Sequence, residues 1–335
     1  MIKLPIVDFP SKRLTCYESV LLTLLSYQEV HDTVTLLGTQ AGFVFNSAEF
    51  SITPKFFTIE QAWQRQYNYQ LNAQQAANPA DLHQKIIAHL QVNTPVCLPV
   101  DIYNLPHTLH HKQLHSRHFI TLFGYQSDRY FMVCPYYRYR GWIAETIIHD
   151  GFFSPLLHSP KYHPRLITLP PCPQPTLSYA QSSALIEANC HYMLNLTTPP
   201  AWDNCDTCTT GLHGLQAFTT QFQQLVATPT ALVQHKQTLI DLSQRLRTVG
   251  HSRYWFYQFI QQYQPTLLSA ALHTHFTSVI GAWEAHSIRL GMGAHGQRIA
   301  MLQQVAVALQ HLQKQEALLF NTLLGALPTY EQGTI

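Results

Sequence analysis

The sequence predicts an α+β protein, with a mixed N-terminal domain over residues 1–170 and an all-α domain over 176–330. Three observations carry this reading. Short strand-like runs bounded by turn residues cluster in the first half, at 95–100, 118–123 and 130–134. A proline-rich stretch, 164–175 (PRLITLPPCPQP), then interrupts the chain as a linker. Beyond it, apolar residues recur at helical spacing almost without a break. At 335 residues the chain also exceeds what one core comfortably holds, which favours two domains.

The first helix is predicted to start at Cys16. Thr15 stands as its N-cap, Glu18 completes a capping box, and an apolar stretch follows. Residues 38–46 (GTQAGFVFN) read as a Gly-punctuated loop entering a short strand. Residues 79–92 form an amphipathic helix with Leu82, Ile86, Ile87 and Leu90 on one face. The strands at 118–123 and 130–134 are joined by 124–129 (GYQSDR), a hairpin connection. After the linker, helices are predicted at 176–195, 211–226, 230–248, 252–263, 265–290 and 295–325.

Cys16 and His118 are the candidate nucleophile and base. At a helix start, unpaired N–H groups and the positive end of the helix dipole favour a thiolate, and the same N–H groups can bind a developing oxyanion. His118 opens a strand, from whose mouth an imidazole can reach a helix tip and act as general base. A Cys and a His this far apart carry chemistry only if the fold brings them together.

Four segments add a resemblance: TCYESVLLTLLSYQE, TLLGTQAGFVFN, PVCLPVDIYNLPH and HSRHFITLFGY. Together they are similar to the N-terminal domain of the butirosin biosynthesis protein H family, papain-like proteins of carrier-protein-dependent natural-product pathways. The matching residues are Cys16, the segments 38–45 and 101–106, and the segment 118–125. GLHGLQAFTTQF and GHSRYWFYQFI resemble, less specifically, the helical domain that follows in that family. The resemblance implies a papain-like cysteine-peptidase-type fold and an acyltransferase. Cys16 would accept an acyl group from an acyl or peptidyl carrier protein and pass it to a small-molecule amine. The phosphopantetheine arm belongs to the partner, so neither a cofactor nor a metal is implied. Asp101, Tyr103, Gln40 and Tyr125 become candidate substrate-binding residues. A cysteine hydrolase (peptidase or thioesterase) uses the same pair, and a catalytically inactive carrier-protein-binding scaffold is the alternative from another class.

The sequence departs from the family in two places. Its second strand ends in Val133-Cys134-Pro135, where the resemblance expects an Asp that orients the histidine. A thiol accepts hydrogen bonds weakly and carries no fixed charge unless ionised. The orienter is therefore Cys134, a backbone carbonyl, Asp101, or absent. No Gln lies shortly before Cys16 to complete a papain-type oxyanion hole; Gln40 is the substitute to consider.

Other motifs read as structure. His107, His110, His111 and His115 crowd one loop without a Cys or carboxylate at regular spacing, so a solvated loop is expected rather than a zinc site. Cys205 and Cys208 form a lone CxxC, weak both as half a zinc site and as a redox motif. The GxGxxG at 291–296 follows a helical stretch and not a strand, so it reads as a helix connection. The apolar stripe of 297–325 is expected in the core, with a homodimer contact as its second reading. Arg138, Arg140, Lys161 and Arg165 form a modest basic cluster, read equally as a contact for an acidic carrier protein or its phosphopantetheine phosphate and as ordinary solvated surface.

Composition excludes other classes. Charged residues make 11% of the chain, where ~25% is typical. Aromatics at 12% argue against disorder. A net charge of +2 with scattered charges leaves no footprint for nucleic acid. No run approaches the ~20 apolar residues of a membrane span, and the opening residues break with Pro5 and charges where a signal peptide needs an apolar stretch. Seven irregularly spaced cysteines suggest reduced thiols and a cytoplasmic protein.

Overall fold

The computed structural model describes residues 1–5, 13–157, 163–172, 174–202, 205–227 and 234–328. In chain order the first elements are β1 (Ile2–Lys3), α1 (Cys16–Tyr27), α2 (Thr33–Leu37), β2 (Val44–Asn46), β3 (Ser51–Thr53), α3 (Ile59–Tyr67), β4 (Asn72–Gln74) and α4 (Pro79–Gln91). There follow β5 (Val96–Asp101), β6 (Arg117–Gln126), β7 (Arg129–Cys134), β8 (Tyr139–Ala144), α5 (Glu145–Phe152) and β9 (Leu166–Thr168). The C-terminal part adds α6 (Tyr179–Met193), β10 (Cys208–Thr210), α7 (Gly211–Ala227), α8 (Lys236–Tyr263), α9 (Ala270–His295) and α10 (Ile299–Ala326). The fold is α+β, as the sequence predicts.

The chain divides into two units: Met1–Asp32 with Trp63–Gln174, and Thr33–Ala62 with Pro175–Ile335. The first is built on an antiparallel sheet in the order β4-β9-β5-β6-β7-β8, with β1 added alongside β6. β5 is buried along its whole length, which fits its unbroken apolar run better than an alternating pattern would. α1 packs on β5 and β6, and α4 and α5 pack on the sheet through Leu82, Ile86, Leu90, Ile148 and Phe152. The helix starts follow from local chemistry. Thr15 accepts the Glu18 N–H while the Glu18 carboxylate accepts the Thr15 N–H at 2.8 Å. Asn78 caps α4 ahead of Pro79, whose missing N–H costs nothing at that position.

The second unit is a helical core with a small antiparallel sheet, β10-β2-β3. This adds one short strand, β10, to the helical C-terminal region that the sequence predicts. Its cause is long-range burial: Ala41, Phe43, Val44, Phe45, Ile52 and Phe56 join one apolar cluster with residues of α6 to α10. Residues 33–62 therefore group with the helical unit, whereas a division at the proline-rich stretch alone assigns them to the first. Gly211 makes the turn from β10 into α7 at φ +60°, and a Cβ there would strike the carbonyl oxygens of Tyr192 and Met193.

The helices expected at 230–248 and 252–263 are one element, α8, with 230–233 outside the described residues. Gly250 does not break it. A Cβ built there would lie 3.1 Å from that of Trp283 on α9, so the glycine allows close helix approach. The apolar stripe of α10 lies in the core through Leu302, Val305, Leu309, Leu312, Leu319 and Leu323. The glycine motif at 291–296 forms the end of α9 and its cap, Gly296. Cys205 and Cys208 are joined as a disulfide, so the expectation of reduced thiols fails for that pair; two cysteines three apart close a short loop. Cys16, Cys97, Cys134, Cys172 and Cys190 are free thiols. No helix among the described residues is long and apolar enough to cross a membrane.

Candidate active site

Cys16 is the first residue of α1, where the backbone N–H groups of the opening turn have no helical partner. Its side chain is set against β6. Phe119 on that strand directs its backbone N–H at the Cys16 sulfur, as does Tyr17, and the Tyr17 and Phe119 rings pack at 4.5 Å. Burial pushes the Cys16 thiol above its usual range. The Phe119 and Tyr17 N–H groups and the Arg117 guanidinium pull it down without reversing the shift.

His118, next along β6, is 3% exposed. Its Nε2 lies 3.1 Å from Sγ of Cys134, the last residue of β7. Cys134 thus sits where the sequence expects an orienting Asp. Burial pushes its thiol up to about 12, so it is neutral at physiological pH. Burial, with the nearby His107 and His110, holds His118 down at about 3. If Nε2 carries the ring proton and donates it to the sulfur, Nδ1 is left as the basic nitrogen. A neutral thiol gives the resulting imidazolium no counter-charge, so the resting state is thiol plus neutral imidazole. Among the described residues no hydrogen bond joins Cys16 to His118. The tie between the two sites is that charge on Cys16 acts on both Cys134 and Tyr137. Tyr136 and Tyr137 wall the imidazole, with ring centroids at 5.9 and 5.1 Å.

Residues 15–134 match the sequence pattern of the family described as Butirosin biosynthesis protein H, N-terminal. The matched segment covers little more than a third of the chain. It opens on the cap of α1 and closes on the thiol beside His118. No curated protein matches the chain.

Within the butirosin biosynthesis protein H-type segment, Asp101, one of the candidate orienters of His118, holds His115. Its carboxylate is fully buried at the end of β5, and Oδ2 accepts from His115 Nδ1 at 2.7 Å and Ser154 Oγ at 2.8 Å. Oδ1 accepts the backbone N–H groups of Tyr103 and Ser116. Burial pushes this carboxyl up, but hydrogen bonds from His115, Ser154, Tyr103 and Ser116 outweigh it, and the net shift is downward. Tyr103 stacks on the His115 ring at 4.0 Å. The contact to Asp101 was invisible in the spacing of the loop histidines, and only the fold reveals it.

Among the described residues, the other two predicted substrate-binding residues make no contact with this group within the first unit. Tyr125 is seven positions along β6 from His118, roughly 23 Å of extended strand, and its hydroxyl donates to Glu145. Gln40 belongs to the second unit, and its amide is engaged by the Phe57 backbone at 3.0 and 3.1 Å. His107 stacks on Tyr139 at 4.2 Å, and neither of its ring nitrogens has a hydrogen-bond partner among the described residues. Among the described residues no three His, Cys, Asp or Glu side chains gather as a metal site. Arg138, Arg140 and Arg165 are exposed, whereas Lys161 lies outside the described residues.

Proposed function

We propose that this chain is an acyltransferase of natural-product biosynthesis, working through an acyl-enzyme on Cys16. The observation that carries the reading is Cys16 on the first turn of α1, with Phe119 N–H on its sulfur, inside a butirosin biosynthesis protein H-type segment. The donor is a thioester on the phosphopantetheine arm of an acyl or peptidyl carrier protein, and the acceptor is a small-molecule amine. Cys16 sulfur attacks the thioester carbonyl as its proton passes to His118. The oxyanion lies against the Cys16 N–H at the helix tip, a group fixed in place before reaction begins. His118 returns the proton to the departing carrier thiol, and the amine then releases the acyl group as an amide.

Because His118 is held at about 3 beside a neutral thiol, proton transfer accompanies attack and does not precede it. The same observation favours a second reading, a papain-like scaffold that binds an acyl carrier protein without turning it over. An assay of carrier thiol release from butyryl-loaded carrier protein, with and without added amine, separates the readings. The acyltransferase predicts release that requires Cys16 and rises with amine. Release equal in both arms supports a hydrolase, and binding without Cys16-dependent release supports the scaffold.

A further inference from the structure

The Asp101–His115 pair has the makings of a second acid–base group. The Asp101 carboxylate is 0% exposed and each of its oxygens already accepts two hydrogen bonds. An ionised carboxylate can only accept, so His115 must carry its ring proton on Nδ1, leaving the lone pair on Nε2. That Nε2 has no hydrogen-bond partner among the described residues, and the side chain is 46% exposed. Stacking on Tyr103, with ring planes 12° apart, holds the ring's orientation. A buried carboxylate that fixes the tautomer and steadies the imidazolium is the supporting half of a nucleophile–His–Asp arrangement. His118 has the opposite surroundings: deep burial and a neutral partner.

The two imidazoles leave the same end of the sheet. Asp101 is opposite Arg117 in the β5–β6 ladder, and Val100 is opposite His118. His115 and His118 are three residues apart, at most about 10 Å between Cα atoms.

We infer that His115, held by Asp101, is the general base for the acceptor amine, while His118 serves the Cys16 thiol. This rests on the acyl-enzyme reading above. In the step, the amine nitrogen attacks the Cys16 thioester carbon and a C–N bond forms. One N–H proton moves to the His115 Nε2 lone pair, and the C–S bond breaks with sulfur leaving as thiolate. His115 then loses its proton to water, and Cys16 regains one from water.

The test follows decay of butyryl-Cys16, formed from the N-acetylcysteamine thioester, with ethanolamine or hydroxylamine as acceptor. Hydroxylamine is largely unprotonated at neutral pH and needs little help from a base. In His115→Gln, ethanolamine aminolysis is expected to fall about 100-fold while hydroxylaminolysis stays within about twofold. Imidazole in solution should restore ethanolamine aminolysis to His115→Gly. Asp101→Asn should behave like His115→Gln, because its amide reverses the tautomer. Equal loss with both acceptors in His115→Gln would mean a structural role, and no loss with either would mean no role; each overturns the inference. If wild-type Cys16 takes no butyryl group, the acyl-enzyme reading itself falls, a failure visible before any His115 variant is made.

Discussion

Replacing Cys134 by Asp puts a carboxylate where a neutral thiol now meets Nε2 of His118, at 3.1 Å. At that separation two unit charges attract by roughly 5 kcal/mol with an effective dielectric of about 20, equivalent to nearly 4 pKa units. Desolvating the new carboxylate offsets part of this, and about half surviving lifts His118 from about 3 by roughly two units. In the proposed nucleophile–base pair, an imidazolium more easily formed lowers the effective Cys16 thiol pKa by a similar amount. At pH 6, below both thiol pKa values, two units multiply the thiolate fraction by about 100. The thiolate's lower basicity costs a factor of about 8 in nucleophilicity, because the Brønsted coefficient is about 0.45. The expected net gain is about tenfold in the rate of Cys16 carbamidomethylation by iodoacetamide. Peptide mapping reads it out, since Cys97, Cys172 and Cys190 also carry thiols. An unchanged or slower rate in Cys134→Asp, with the fold intact by circular dichroism, would refute the reasoning that Cys134 leaves His118 without a counter-charge.

Three further outcomes follow. His118 is protonated less readily folded, at about 3, than unfolded, near 6.5. The unfolded state therefore binds the extra proton between those values, and stability present above about pH 6.5 is lost as pH falls towards 3. His118→Asn should flatten the fall in urea midpoint over pH 6.5 to 4, with His107, also lowered to about 4, leaving a residual slope. Thr15→Ala removes the acceptor for the Glu18 N–H and should cost about 1 kcal/mol by urea denaturation, along with slower Cys16 labelling as the helix tip loosens. In the second unit, Arg253 holds Glu316 through Nε at 2.9 and 3.0 Å, both side chains fully buried. Arg253→Met strands that carboxylate and should destabilise by about 3–5 kcal/mol, and adding Glu316→Leu should recover part of the loss.

Local chemistry was legible in the sequence, and long-range pairing was not. The Thr15–Glu18 capping box, the α4 stripe of Leu82, Ile86 and Leu90, and the β6–β7 hairpin each depend on residues within a few positions of one another. So does α7, expected at 211–226 and found at Gly211–Ala227. By contrast, β2 pairs with β10 across some 160 residues, Phe45 opposite Thr209, and no local pattern announces such a partner. The helices expected at 230–248 and 252–263 are continuous across Gly250: glycine is a poor helix former, but packing against α9 at Trp283 overrides the propensity. At the site, residue types at Cys16, His118 and Cys134 could be read from motif order. Which histidine Asp101 would hold could not, since His115 and His118 are both close in sequence to the strand opposite it.

The account's central claim is that Cys16 carries the acyl group. Its most direct test is peptide mass mapping of the full-length protein after brief exposure to the butyryl thioester of N-acetylcysteamine. The account predicts a butyryl adduct on the Cys16 peptide that is discharged by amine and absent in Cys16→Ala. No adduct on Cys16 in the folded wild-type protein, or equal acylation of Cys97, Cys134, Cys172 and Cys190, would contradict it.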